Sequence, residues 1–171
     1  MGHPQKIILS EVIFLLAFLF VDTVSHAQTI YGVTGWPSET LLSIEVNSCT
    51  CNLTEIGALQ TSTGDEIFPE GGFAVCPDGS MYVQAFGELF TVDPGSGLCT
   101  LVPGLPLAEY LSGLACAGNG ILYGVEEIGH GNLLYQYDLN AMTVNTLGSL
   151  PYSANAGMFY LNDDLYLLAP E

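Results

Sequence analysis

The feature that most constrains the fold is a repeated motif in which a tyrosine follows an aliphatic or methionine side chain. Its four copies are centred on Tyr31, Tyr82, Tyr123 and Tyr166. These tyrosines are 51, 41 and 43 residues apart. A short segment precedes each of the last three, namely Gly72-Phe73-Ala74-Val75, Gly113-Leu114-Ala115-Cys116 and Gly157-Met158-Phe159-Tyr160. Self-similarity at this spacing predicts a fold assembled from similar small units.

Each unit is predicted to consist of short antiparallel strands. Turn residues such as Asp78-Gly79 and Asn119-Gly120 separate the two segments of a repeat, and these pairs are typical of tight hairpins because they tolerate positive φ. Further runs alternate apolar and polar residues, as in 133–138 and 143–148. Period-two alternation rich in Tyr, Val, Ile and Thr indicates strands. No helix of more than one turn is predicted beyond residue 27.

Four antiparallel strands per repeat match one blade of a β-propeller. We label the four strands of a blade a, b, c and d from the propeller axis outward. With repeats that start near residues 29, 72, 113 and 157, the strand order b-c-d, a-b-c-d, a-b-c-d, a-b gives 13 strands. The prediction is an all-β, partial β-propeller of about three four-stranded blades, incomplete at its C-terminus, over residues 28–171. Three interpretations account for the missing strands: a fragment of a longer protein, closure by association of two or more chains, or repeats that stack as an open sheet or another all-β form.

The first 27 residues have the pattern of a cleavable signal peptide. The apolar run 12–21 is too short to span a bilayer, and Ser25 and Ala27 place small residues at the −3 and −1 positions of a cleavage site. An uncleaved anchor is the alternative interpretation. Cleavage predicts a protein that is secreted or attached to the cell surface, with no membrane span in the mature chain.

Charge narrows the function classes. The chain has 18 acidic residues, one basic residue and a net charge of −17, yet 49% of its residues are hydrophobic. An acidic disordered tail would be poor in apolar residues. Binding to nucleic acid requires Lys and Arg, so nucleic acid is excluded as a partner. Cleavage after Ala27 removes Lys6, Glu11 and Asp22, which leaves 16 acidic residues and no Lys or Arg.

The repeats resemble secreted β-propeller domains of the kind found in surface proteins of gliding Bacteroidetes-type bacteria. The resemblance is carried by the junction Ala27-Gln28-Thr29-Ile30-Tyr31-Gly32 and by blade-like segments such as 73–79 and 138–148. It covers nearly all of the mature chain, but the matching motifs are structural. Members of that family often carry adhesion or polymer-binding modules, and this part of the family picture does not carry over to the present chain. The first functional hypothesis is a non-enzymatic exported or cell-surface module for binding or adhesion, with an unidentified protein or carbohydrate ligand. If the chain is complete, a homo-oligomer is a further expectation.

Five cysteines are candidates for disulfides in an exported protein. Repeats one and two each have a cysteine near strand d and another in or after the next strand a, which suggests the pairs Cys51–Cys76 and Cys99–Cys116, with Cys49 left over. Strands d and a lie at opposite edges of a blade, which is a geometric objection to both pairs. The alternative is that Cys76 and Cys116 are small core residues.

No catalytic group of residues is apparent, so an enzyme is not predicted. His130 is the only histidine after Ala27, and no nucleophile motif accompanies it. The alternative function is a calcium-dependent hydrolase of the propeller lactonase type. Its weak candidate metal ligands are Asp78, Asn119 and Asp163, which stand at equivalent turns. Turn geometry explains these three residues without a metal, because Asp and Asn tolerate positive φ.

The best candidate for ligand specificity is the longest insertion, residues 60–71. Within it, Asp65, Glu66 and Phe68 are candidate binding residues, together with Trp36 from the first repeat. Long loops on rigid scaffolds often carry function. The four repeat tyrosines are predicted to pack between blades; the alternative is an aromatic platform for sugar rings that includes Trp36 and Tyr152.

Overall fold

The computed structural model describes residues 28–34, 39–47, 50–69, 72–105, 107–108, 111–126, 131–151 and 157–168. These residues form β-strands and no helix, which confirms the predicted all-β class. The signal peptide predicted over residues 1–27 lies outside the described residues. The strands are β1 (Gln28–Val33), β2 (Thr40–Val46), β3 (Cys51–Ala58), β4 (Gln60–Thr61), β5 (Gly72–Val75), β6 (Met81–Ala85), β7 (Glu88–Val92), β8 (Leu98–Leu101), β9 (Leu111–Gly118), β10 (Ile121–Glu126), β11 (Leu133–Asp138), β12 (Thr143–Ser149), β13 (Met158–Leu161) and β14 (Asp164–Leu167).

The strands pair into four sheets that follow one another along the chain. Sheet 1 has the order β1-β2-β3, sheet 2 β4-β8-β7-β6-β5, sheet 3 β12-β11-β10-β9 and sheet 4 β13-β14. Neighbouring strands are antiparallel except for β4, which runs parallel to β8. All 13 predicted strands are present; β4 is an addition, and it joins the outer edge of sheet 2 directly after the chain leaves sheet 1.

Tight turns have the local chemistry that the sequence predicts. Asn119 and Gly120 adopt φ of 52° and 77° between β9 and β10, and Asn162 and Asp163 adopt 51° and 66° between β13 and β14. Two consecutive residues with positive φ match the right-handed twist of the adjoining strands. The turn between β5 and β6 differs: the Asp78 carboxylate accepts a hydrogen bond from the Ser80 backbone N–H at 2.9 Å.

Each sheet has two faces, because side chains alternate along a strand. We call the face that carries the repeat tyrosine the leading face, and the opposite one the trailing face. The leading face of sheet 1, with Tyr31, Val33 and Leu41, packs against the trailing face of sheet 2, where Val83 and Phe90 are buried. Sheet 1 therefore lies against sheet 2 through a shared apolar core.

The same order repeats at the next two junctions. On the leading face of sheet 2, Tyr82 and Leu89 pack with Leu122 and Tyr137 on the trailing face of sheet 3. The leading face of sheet 3 packs in turn against the trailing face of sheet 4, which places Tyr123, Ala115 and Val125 with Met158, Tyr160 and Leu165. The rings of Tyr123 and Tyr160 stack at 5.8 Å. Three cores thus separate four successive sheets.

The edges of the sheets also meet in sequence. β9 lies between β5 and β13, so the first strand of each complete repeat stands next to the first strand of the following one. We call β5, β9 and β13 the inner strands, and β3, β8 and β12, at or next to the opposite edges of their sheets, the outer strands. The inner strands line a small hollow of about 140 Å³. At the outer edge, Gly57 of β3 lies against the turn between β7 and β8, where a side chain at residue 57 would meet the Ser96 carbonyl oxygen at 2.3 Å. Only glycine fits this contact between sheets 1 and 2.

The disulfide in the structure joins Cys76 to Cys116, whose Cα atoms are 5.0 Å apart. The predicted pairs Cys51–Cys76 and Cys99–Cys116 are therefore wrong. The reason is that Cys51 and Cys99 lie on the outer strands β3 and β8, whereas Cys76 directly follows the inner strand β5 and Cys116 lies on the neighbouring inner strand β9. Cys51 is a free, exposed thiol and Cys99 a free, buried one; Cys49 is outside the described residues.

Candidate functional site

The connections between strands fall on two rims of different character. At one rim, here called the short-turn rim, turns of two to five residues join β5 to β6, β7 to β8, β9 to β10, β11 to β12 and β13 to β14. At the opposite rim, the long-loop rim, longer segments join successive sheets, including the described residues 59–69, which follow β3 and precede β5. The long-loop rim is therefore the candidate binding surface, because long loops on rigid sheets often form binding sites.

The loop at residues 59–69 is held in place from both sides. Leu59 and Ile67 are 1% and 3% exposed and belong to the core between sheets 1 and 2. The Ile67 backbone N–H donates to the Leu59 carbonyl at 2.9 Å. A bridge also pairs Gln60 with Glu66. Buried side chains and backbone hydrogen bonds therefore fix the described part of the insertion against the core.

Hydroxyl groups organise the tip of this loop around a carboxylate. The Thr63 hydroxyl donates to Asp65 Oδ2 at 2.5 Å, and the Thr61 hydroxyl donates to the same oxygen at 3.2 Å. These bonds, first that of Thr63 and then that of Thr61, lower the pKa of Asp65 below its ordinary value. Since hydrogen bonds to the charged form favour ionisation, Asp65 remains a carboxylate across the neutral range.

Phe68, at the end of the loop, contacts a second aromatic ring. Its ring lies 6.4 Å from that of Phe86, at an interplanar angle of 80°. Such an edge-to-face arrangement is a favoured geometry of aromatic pairs. Phe86 is 57% exposed, and it belongs to the two-residue turn that joins β6 to β7. The pair thus displays apolar surface where the long loop meets a hairpin tip.

The backbone of Phe86 is unusual for so large a residue. Its φ is 55°, and that of Gly87 is 70°. A left-handed conformation costs an L-residue about 1–2 kcal/mol, and Asn or Gly normally occupies this turn position. Phe86 was not among the binding residues predicted from the sequence. The available signal was a bulky apolar residue in a two-residue link between two predicted strands, where a turn former is expected.

Acidic residues lie next to both members of the aromatic pair in the sequence. Asp65 and Glu66 precede Phe68, and Glu88 follows the Phe86-Gly87 turn; all three are exposed. The described residues contain no Lys, Arg or His. An acidic surface with an apolar centre favours a cationic or neutral partner over an anionic one.

A second polar cluster stands at the same rim, in sheet 3. The Tyr135 hydroxyl donates to Glu126 Oε1 at 2.5 Å, and the Leu133 backbone N–H donates to Glu126 Oε2 at 3.4 Å. Burial, followed by the bond to Glu126, raises the pKa of Tyr135 far above its ordinary value. Tyr135 therefore stays protonated as a donor, and the cluster closes the end of the β10–β11 hairpin.

The predicted metal ligands are distributed over separate turns. Asp78, Asn119 and Asp163 lie on the short-turn rim, in the turns between β5 and β6, β9 and β10, and β13 and β14. Asn119 and Asp163 adopt positive φ, and the Asp78 carboxylate bonds to Ser80 within its own turn. Within the described ranges, no group of three or more His, Cys, Asp or Glu side chains is placed to hold a metal ion.

Of the binding residues predicted from the sequence, the structure brings Asp65, Glu66 and Phe68 into one ordered loop and adds Phe86 to them. Trp36, Tyr152 and His130 lie outside the described residues. The repeat tyrosines Tyr31, Tyr82 and Tyr123 are half-buried between sheets, which confirms the packing interpretation for those three. Tyr166 differs, since it is 42% exposed.

No family model matches the chain, and no curated protein is significantly similar to it. In the part of the chain that the structure describes, no helix is long and apolar enough to cross a membrane.

Proposed function

We propose that this chain is an exported, non-enzymatic scaffold of the β-propeller type that binds a protein partner at its long-loop rim. Support for the scaffold comes from the four successive sheets, each packed by its leading face on the trailing face of the next, with their inner strands side by side. Support for export comes from the predicted signal peptide and from the Cys76–Cys116 disulfide, since disulfides persist in oxidising compartments.

The observation that carries the proposed binding function is the pair Phe68–Phe86. An exposed aromatic side chain kept in a costly backbone conformation, beside an ordered loop, supports a role in contact with a partner. Aromatic residues are enriched among the residues that contribute most to binding energy.

The chemistry of the rim selects the partner class. Because the described residues have no cationic side chain and the net charge of the chain is −17, a basic protein segment with apolar side chains is the favoured ligand. Its Arg or Lys side chains would pair with carboxylates such as Glu66 and Glu88 and lie over the exposed ring of Phe86.

The test uses a fluorescein-labelled peptide that alternates arginine and leucine, titrated with the protein and followed by fluorescence anisotropy. The substitution Phe86→Asn is expected to weaken binding by about tenfold or more, because truncation of a central aromatic residue removes a large share of binding energy. Its melting temperature should change little, since the readier positive φ of Asn offsets the lost ring contact with Phe68. Phe86→Tyr is the matched control and should bind like the unmodified protein.

The same titration includes a peptide with glutamate in place of arginine and the neutral sugar cellohexaose. We expect neither to bind. Equal affinity of the Phe86→Asn and unmodified proteins for the basic peptide would overturn the proposed site. Binding of the sugar instead of the basic peptide, with loss in Phe86→Asn, would overturn the proposed partner class.

A further inference from the structure

Two sheet faces remain without a neighbour in the described structure, one at each end of the series of sheets. On the leading face of sheet 4, four large side chains are exposed: Phe159 (43%), Leu161 (53%), Tyr166 (42%) and Leu168 (56%). The rings of Phe159 and Tyr166 stack at 4.9 Å and form a flat apolar surface. The side chains of Phe159, Leu161 and Tyr166 point away from the core that sheet 4 shares with sheet 3, as the strand register requires, and Leu168 directly follows β14.

The other such face is the trailing face of sheet 1. Ile30, Ile44 and Leu53 stand in one row across the three strands, and Val46 lies in the adjacent row. Ile30 is 52% exposed, Leu53 61% and Val46 37%. An exposed apolar row on a sheet face marks an interaction surface rather than a solvated one.

The repeats themselves indicate what covers each face. Phe159 and Tyr166 occupy the positions of Ala74 and Tyr82 in sheet 2, which the trailing face of sheet 3 covers. Ile30 occupies the position of Met81 in sheet 2, which is 2% exposed beneath the leading face of sheet 1. A leading face is thus covered by a trailing face at every junction inside the chain.

We propose that two copies of this chain associate head to tail, so that the leading face of sheet 4 in each copy packs on the trailing face of sheet 1 in the other. One copy presents one uncovered face of each kind, so a pair of copies covers all four. Head-to-tail contacts either close into a ring or form open filaments. Two copies contribute eight sheets, which lies within the usual range of about four to eight for propellers.

The side chain of Phe159 fits this arrangement. It lies on the inner strand β13, at the position where sheets 2 and 3 have alanine. Among the described residues, β1 is the edge strand of sheet 1, with no inner strand beside it. A phenylalanine ring fills the space that an inner strand would take at this junction, where an alanine would leave a void. This pairing is independent of the long-loop rim and of its proposed ligand.

The test is the mass of the purified protein in solution, measured by sedimentation equilibrium at micromolar concentration in about 0.5 M NaCl, where screening limits repulsion between acidic copies. The unmodified protein is expected to have twice the mass of one chain. Leu53→Glu and Phe159→Glu should each be monomeric, because each places an unpaired carboxylate in both junctions. Leu147→Glu, an exposed position on the outer strand β12, adds the same charge and should remain dimeric.

Mixing the two monomeric variants tests the head-to-tail arrangement. The Leu53→Glu copy keeps an intact face on sheet 4, and the Phe159→Glu copy keeps an intact face on sheet 1, so the mixture should form heterodimers through one unmodified junction. Such recovery supports the proposal. A monomeric unmodified protein, open polymers, dimers of either variant alone, or a mixture that stays monomeric would each overturn it.

Discussion

The two free thiols among the described residues have opposite surroundings. Cys51 is exposed on β3, whereas Cys99 is 4% exposed in the core between sheets 1 and 2. Burial raises the pKa of Cys99 from 9.0 to about 11. Because the thiolate is the reactive form, the same functional group is available at one position and inert at the other.

We therefore expect selective modification by a thiol reagent such as 5,5′-dithiobis(2-nitrobenzoic acid). In a Cys49→Ser/Phe159→Glu background at pH 8, where the expected monomer leaves the trailing face of sheet 1 uncovered, Cys51 should react in the folded protein and Cys99 only after unfolding. The further substitution Cys51→Ser should abolish labelling of the folded protein. Rapid labelling of Cys99 without denaturant would contradict its burial.

The raised pKa of Cys99 also makes the free energy of unfolding depend on pH. Below pH 9 the Cys99 thiol is protonated in both the folded and unfolded chains, so its contribution is constant. Between pH 9 and about 11 the unfolded chain releases the proton first, and the stability due to this group is lost as the pH rises. Cys99→Ala should flatten this part of the pH profile.

Between elements, packing of one sheet on the next is the recurrent interaction, and the Cys76–Cys116 bond reinforces one junction. It joins the inner edges of sheets 2 and 3, across a sequence separation of 40 residues. The equivalent positions at the junction of sheets 3 and 4 are Ala117 and Tyr160, so that junction depends on side-chain packing.

Removal of this disulfide should destabilise the protein strongly. Closing a loop of this length is worth about 4 kcal/mol in the chain-entropy model. The double substitution Cys76→Ala/Cys116→Ala should therefore lower the free energy of unfolding by a comparable amount in urea denaturation followed by circular dichroism. A reducing agent should produce a similar loss in the unmodified protein and no further loss in the double variant. Equal stability of both proteins under oxidising conditions would contradict the bond.

For the whole molecule, unbalanced charge is the dominant electrostatic property. The net charge is −17, and the residues from Gln28 onward contain no Lys or Arg. Carboxylates such as Asp78 and Asp93 are ionised readily, because hydrogen bonds from Ser80 and from Ser96, respectively, lower their pKa values. Compaction brings these charges together, so self-repulsion opposes folding most strongly at low ionic strength.

The melting temperature should accordingly rise with salt concentration. Thermal unfolding in dilute buffer and in NaCl at the ionic strength of sea water compares repulsion with and without screening, because the Debye length shortens from about 30 Å at 0.01 M to a few ångströms near 1 M. A melting temperature that is independent of salt would contradict this expectation. CaCl₂ at equal ionic strength separates general screening from a calcium site, which would add a rise of its own.

Much of the fold was predictable because its determinants are local. Alternation at period two identifies the strands, and pairs such as Asn119-Gly120 identify hairpins through their tolerance of positive φ. The two-residue strand β4 was not predictable, because its pairing with β8 depends on how sheets 1 and 2 lie against each other. Phe68 was anticipated within a long insertion, but its contact with Phe86 was not, since 18 residues of chain separate them.

The order of residues along this chain thus establishes a series of antiparallel strand units with one tyrosine each, since backbone conformation responds to neighbouring residues. Packing between sheets settles the rest. It pairs Cys76 with Cys116 rather than with an outer-strand cysteine, and it leaves Tyr31, Tyr82 and Tyr123 half-buried but Tyr166 exposed. These outcomes depend on contacts between sheet faces that are tens of residues apart in the sequence. Equivalent positions in two repeats therefore have different surroundings when the sheets next to them differ.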